Sequence, residues 1–182
     1  MIGDSIIKYV EGTKLVVQVR RGATISSLQQ DIVKGKVRLT GCSTVVLHVG
    51  TNDVANGVDE ATMIKKYKEL VKVAKVYSEE GTELVFSAII PRYGDVQSDG
   101  TVRRVNQGLM SWYNRTGGLF LRTFSIFRKS NKIVPEMYAR DGVHLSRVGS
   151  RCLTEYFKSH TSPGYLKTLR KALLARSGRG QQ

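Results

Sequence analysis

The 182-residue chain predicts an α/β fold on a parallel sheet, and two features of the sequence carry that expectation. Apolar runs bounded by glycine or polar clusters recur at Leu15 to Val19, Val45 to Val49, Leu84 to Ile90 and, more briefly, Leu119 to Arg122. Such continuous Val, Ile and Leu runs fit strands buried on both faces, because a strand with one wet face would alternate. Between them lie amphipathic stretches long enough for the crossover helices that parallel strands require.

In chain order, only Met1 and Ile2 precede the block Gly3-Asp4-Ser5, so any strand leading into it is short or has lost an upstream segment. A first helix is expected over Thr24 to Lys34, entered after Gly22 with Thr24 or Ser26 as its cap. The second, Asp59 to Ser78, repeats Met63, Tyr67, Leu70, Val71, Ala74 and Tyr77 at three- and four-residue steps, with Lys65, Lys66, Lys68, Lys72 and Lys75 elsewhere; one face packs and the other is solvated. Pro91 to Gly100, with Arg92, Tyr93, Asp95 and Asp99, reads as a polar crossover or a substrate border. A helix over Val102 to Asn114 comes next, its Trp112 and Tyr113 assigned to the core. Another spans Arg147 to Phe157. The breaker Ser162-Pro163-Gly164 divides a compact domain, residues 1–160, from a basic C-terminal helix and tail, residues 161–182. Tyr165 to Arg176 is amphipathic, and Ser177 to Gln182 should fray.

Composition narrows the function classes. Apolar residues at 41% and charged residues at 24% are ordinary globular usage, which excludes a disordered or fibrous chain. Cys42 and Cys152 sit in or beside apolar segments and read as reduced thiols, since two cysteines in a chain this long do not make a disulfide framework. No apolar run approaches the roughly 18 to 20 residues that cross a bilayer, and no leader opens the chain. A cytoplasmic location is the expectation. The 29 Lys and Arg against 15 Asp and Glu leave a net charge of +14, which favours polyanions or anionic membranes as partners. Half of that excess lies from Arg147 onward, where eight bases face Glu155 alone. Lys167, Arg170, Lys171 and Arg176 are the candidate contacts to RNA or an anionic membrane, against the plainer reading of a solvated helix face.

Three short blocks carry chemistry: Gly3-Asp4-Ser5, Gly50-Thr51-Asn52-Asp53 and Asp141-Gly142-Val143-His144. Each falls where a strand or its loop ends, which is where open α/β sheets place their sites. Ester cleavage needs a nucleophilic hydroxyl, an imidazole to take its proton, a carboxylate to hold that imidazole, and donors for the developing oxyanion. Ser5 is the candidate nucleophile, His144 the base and Asp141 its orienter. Asn52 and the backbone amides of Ser5 and Gly22 are the candidate oxyanion donors. Asp4 and Asp53 read as acceptors of backbone hydrogens, His48 as a hydrogen-bonded core histidine, and His160 as surface.

These blocks, in this order and approximate spacing, resemble the SGNH or GDSL-type hydrolases, whose patterns are Gly-Asp-Ser, an isolated Gly, Gly-x-Asn-Asp and Asp-x-x-His. The resemblance runs from Gly3 to His144. It implies a three-layer α/β/α, flavodoxin-like sandwich, Ser5, His144 and Asp141 as the triad, Gly22 with Asn52 in the oxyanion hole, and neither metal nor cofactor. Within that family the stretches from Gly3 to Lys8, Leu47 to Asp53 and Arg140 to Ser146 are similar to the esterase domain of the first-open-reading-frame protein of vertebrate non-LTR retrotransposons of the L2 and CR1 kind. That likeness implies an upstream coiled coil that self-associates. Three functions stay open: a serine esterase acting on acyl, including lipid, esters; a basic RNA- or membrane-binding module with a vestigial site; and an acyltransferase or carbohydrate deacetylase.

Overall fold

The computed structural model describes residues 1–11 and 16–177, without the side chains of Val96, Arg176 and Ser177. Five parallel strands form the central sheet in the order β2-β1-β3-β4-β5: β1 Ile2–Gly3, β2 Gln18–Val19, β3 Thr44–His48, β4 Glu83–Ser87 and β5 Leu119–Leu121. Each parallel step is bridged by a helix or turn, as a parallel sheet demands. The helices are α1 Ile25–Val33, α2 Thr51–Ala55, α3 Glu60–Tyr77, α4 Val96–Arg115, α5 Arg147–His160 and α6 Pro163–Ser177. A separate hairpin pairs β6 Arg128–Lys129 with β7 Lys132–Ile133, its turn residues Ser130 and Asn131 both at positive φ.

Alternation along the strands produces the three layers, because successive side chains leave opposite faces of a strand. Val45, Leu47, Leu84, Phe86 and Phe120 join Ile25, Leu28, Met63, Leu70, Val105 and Leu109 of α1, α3 and α4 in one core. Val46, Val85, Leu119 and Leu121 join Ile6, Ile7, Leu153, Phe157 and Leu166 in the other. Burial of each such large side chain stabilises by about 1.5 to 3 kcal/mol, so neither layer is optional. The sandwich expected from the family resemblance is therefore present.

Several bounds differ from the sequence expectation. Strand character over Leu84 to Ile90 stops at Ser87, because Ile89 gives its amide to Asn106 Oδ1 (2.9 Å) and its carbonyl to Asn106 Nδ2 (2.7 Å); a side-chain amide replaces the next strand. α4 starts six residues before Val102, since Asp95 accepts from Ser98 N (3.0 Å) and caps a helix that includes Gly100. The first run ends on Gln18–Val19, while Leu15 lies outside the described residues. The break at 161–162 does not detach α6 from the domain, for Leu166 is 5% exposed and Arg170 pairs with Glu83 Oε2 at 2.6 Å. His160 is half-buried, stacked 3.8 Å from Tyr156. Cys42 and Cys152 are free and half-buried.

At the end of β1, Asp4 caps a 3₁₀ turn, Ser5–Ile7, by accepting from Ile6 N at 3.0 Å. Its other oxygen, Oδ2, is buried with no hydrogen-bond partner among the described residues. Burial pushes the Asp4 carboxyl from 3.8 up to about 7, because an ion loses its hydration there. An acid whose folded pKa is raised holds its proton longer in the native state, so its contribution favours folding below about pH 4 and is lost as pH rises through about 7. His48, lowered from 6.5 to about 4, acts with the opposite slope over part of that window. The diagnostic quantity is thus a difference: Asp4→Asn keeps the acceptor for Ile6 N and removes the ionisation. Chemical denaturation should show the variant gaining stability relative to the parent as pH rises from about 4 to 7, and a gap independent of pH would refute the assignment.

Candidate active site

Ser5 is placed by a backbone contact that only glycine permits. A Cβ on Gly3 would lie 2.0 Å from the carbonyl oxygen of His48, and Asp4 N donates to that oxygen at 3.2 Å. β1 therefore ends hard against β3, and the turn after it, pinned by buried Ile6 and Ile7, leaves Ser5 half-buried at the carboxyl edge of the sheet.

His144 Nε2 lies 3.1 Å from Ser5 Oγ, although 139 residues separate them. The other ring nitrogen, Nδ1, is 2.7 Å from Asp141 Oδ2. A carboxylate only accepts, so Nδ1 carries the proton; in the neutral ring Nε2 is then the acceptor facing the serine hydroxyl. Asp141 Oδ1 accepts from the amides of Val143 and His144, each at 2.9 Å. The imidazole hydrogen bond first, then those two amides, hold the Asp141 carboxyl down to about 2. It stays ionised across neutral pH and fixes the ring.

The loop carrying this pair is clamped from the side. Gly142, at φ +67°, gives its carbonyl to Tyr93 N (2.8 Å), and a Cβ there would meet Tyr93 O at 2.4 Å. Tyr138 donates its hydroxyl to Pro91 O (2.8 Å) and stacks on Tyr93 with centroids 6.1 Å apart. Arg92 reaches back to Thr51 O (3.4 Å). Residues 91–93 thus tie the His144 loop to the start of α2. From sequence alone this segment reads as a crossover or a border; the glycine between Asp141 and Val143 is the one signal of a close approach.

Asn52 stands in the first turn of α2, behind Gly50 at φ +123°, where a Cβ would lie 2.3 Å from Tyr67 Oη. Tyr67 donates to Val49 O and seals the end of β3. Asn52 Nδ2 donates to Ala23 O at 2.9 Å. Beside it Asp53, fully buried, accepts from Ile25 N (2.8 Å) and pairs with Lys66 (3.1 Å). These bonds dock the Gly22-Ala23 segment, with Gly22 at φ +70°, onto the Asn52 turn. Arg20 N donates to Gly3 O (2.7 Å), which sets the same segment beside the serine turn. Asp4 and Asp53 accept backbone hydrogens, as expected from sequence.

Other residues singled out from sequence lie elsewhere. His48 is buried and joins Ser87 (2.8 Å) and Thr123 (2.9 Å onward) in a core network; burial pushes its imidazole down to about 4. Tyr113 is buried and Trp112 packs against the same core. Of the basic residues, Lys167 and Lys171 are exposed on α6, Arg170 is paired with Glu83, and the side chain of Arg176 lies outside the described residues. Among the described residues no three His, Cys, Asp or Glu side chains gather to hold a metal, and no helix is long and apolar enough to cross a membrane.

Known proteins share this architecture. A member of the lipolytic G-D-S-L family from Veillonella parvula superposes with a TM-score of 0.72 at 16% identity, over 89% of this chain and 96% of that one. An acetylxylan esterase from Geobacillus stearothermophilus, solved as a catalytic mutant, gives 0.62 at 16% identity, over 87% and 90%. The esterase domain of the ZfL2-1 ORF1 protein, from a zebrafish retrotransposon, gives 0.49 at 25% identity, over 87% and 94%. The first two are likenesses of fold. No curated protein sequence matches. Residues 8–152, a stretch that includes Asn52, Asp141 and His144, match the GDSL-like lipase/acylhydrolase pattern, and the chain belongs to that family.

Proposed function

We propose that the chain is a serine esterase in which Ser5, His144 and Asp141 hydrolyse acyl esters through an acyl-enzyme. The observation that carries this reading is the 3.1 Å approach of His144 Nε2 to Ser5 Oγ, backed by Asp141 at 2.7 Å. Ser5 Oγ attacks the ester carbonyl while Nε2 takes its proton. The oxyanion is held by Asn52 Nδ2 and the amides of Gly22 and Ser5, each such donor contributing about 3 to 4 kcal/mol to the transition state. Collapse expels the alcohol, which receives the proton from His144, and water activated by the same imidazole releases the acid. Asp141 stays charged and steadies the imidazolium.

Lipid esters fit this chemistry, while an acyltransferase or carbohydrate deacetylase would differ in acceptor or substrate alone. The wording of the Gly3 to Lys8, Leu47 to Asp53 and Arg140 to Ser146 stretches supports placing the domain in a retrotransposon protein associated with nucleic acid. A second reading rests on α6, where Lys167 and Lys171 project from a helix anchored by Leu166. In it α6 holds a polyanion such as RNA through sequence-tolerant phosphate contacts.

Ser5→Ala should lower acetyl-ester turnover by about 10³-fold or more and abolish labelling by a fluorophosphonate, with the far-UV spectrum unchanged; retained turnover would end the triad reading. Gly142→Ala introduces a Cβ against Tyr93 O at an unfavourable φ, and a shift of the His144 loop on the order of 1 Å should lower kcat roughly 100-fold. Unchanged kcat in a folded variant shows that the clamp does not position the base. For the second reading, Lys167→Glu with Lys171→Glu should weaken RNA binding at low salt and flatten its salt dependence by about two phosphate contacts. An identical salt slope removes α6 from consideration.

A further inference from the structure

The rim beside Ser5 is positively charged, and its charges are not neutralised by the carboxylates nearby. Lys8 closes the 3₁₀ turn that Ser5 opens, donating its amide to Ser5 O at 3.2 Å. Side chains three apart eclipse in such a turn, so Lys8 projects from the side of the turn that bears the serine. Its ammonium lies 2.9 Å from the hydroxyl of Tyr9 and 4.6 Å from that ring's centroid. Arg21 approaches the same phenol: Lys8 first, and Arg21 as well, lower the Tyr9 pKa. The backbone explains the convergence, because Arg20 N bonds Gly3 O and carries Arg21 to the edge where Ser5 sits.

The acids of this edge are otherwise engaged. Asp31 pairs with Arg20 at 2.8 Å, Asp53 with Lys66, and Asp141 with His144; Asp4 is buried beneath the turn. Among the described residues neither Lys8 nor Arg21 has a carboxylate partner, and both are exposed. Between Arg21 and the Gly22 segment opens a cleft of about 490 Å³, also lined by Val19, Ala23 and Ser27.

We propose that Lys8 and Arg21 form a subsite for a phosphate carried by the substrate, so that the preferred ester is an acyl ester of a phosphorylated alcohol. This rests on the esterase reading and specifies its substrate class. Guanidinium and ammonium groups give charge-assisted hydrogen bonds to phosphate oxygens, and the cleft beside Gly22 offers the group a place within reach of the serine.

The test compares monoacetylglycerol with acetylglycerol phosphate, which share an acetyl ester and differ in the phosphate. At low salt the parent should favour the phosphorylated ester by about tenfold in kcat/KM, as two exposed charge contacts provide. That preference should fade at about 1 M salt, where screening acts over roughly 3 Å. Lys8→Gln with Arg21→Gln should bring the ratio toward one, whereas Lys65→Gln with Lys75→Gln, an equal loss of charge on α3, should leave it at the parent value. A parent ratio of one, or a ratio unchanged in the Lys8 and Arg21 variant, overturns the subsite alone. Absence of turnover on both esters overturns the esterase reading and the subsite with it. A gain that grows with a long-chain phosphorylated ester in micelles assigns the phosphate to a lipid headgroup; a gain confined to the short ester assigns it to a soluble carrier.

Discussion

The contact of Gly3 with the carbonyl of His48 sets the rest of the site. Parallel pairing fixes Ile2 opposite Leu47 and Gly3 opposite His48, so the turn bearing Ser5 and the turn bearing Asn52 leave the sheet at one level. On the other flank, pairing with β2 brings Gly22 to the same edge. Three of the four blocks are thus positioned by two strand pairings. His144 is the exception. It arrives from the loop before α5 and needs separate restraint, which the Tyr93 to Gly142 bond and the Tyr138 to Pro91 bond supply.

Electrostatically the site separates buried from exposed acids. Asp4 and Asp53 lie under the surface and act on the backbone, one capping the serine turn and the other the start of α1. Asp141 is half-exposed and its charge is held by an imidazole and two amides. The same residue type therefore does opposite work, and solvation decides which. His48 shows the same principle for imidazoles: buried against Phe157 and Ser87, it is a structural hydrogen-bonding group in a chain whose exposed histidine faces the serine.

Much of this is legible in sequence because the informative residues are chemically distinctive and adjacent. Ser5, Asn52, Asp141 and His144 each stand in a block of three or four, and apolar runs mark the strands near them. Capping is legible at Thr24 and Asp59, whose side chains accept from Ser27 N and Thr62 N. The start of α4 is hidden although Asp95 and Ser98 stand at cap spacing, since Gly100 argues for a loop. Residues 88–90 are apolar because they are buried, and burial by a helix leaves the same mark as burial in a sheet. The clamp on His144 leaves almost no mark, for a bond between two backbones can be written with nearly any side chains.

The separation of Ser5 from His144 by 139 residues bears on how the protein comes into being. Ribosomes deliver the nucleophile first and its base near the end, and contacts so distant in sequence form late. A nascent or prematurely terminated chain carries an ordinary serine. Reactivity arrives only with the finished molecule, so quality control over the fold is also control over the chemistry.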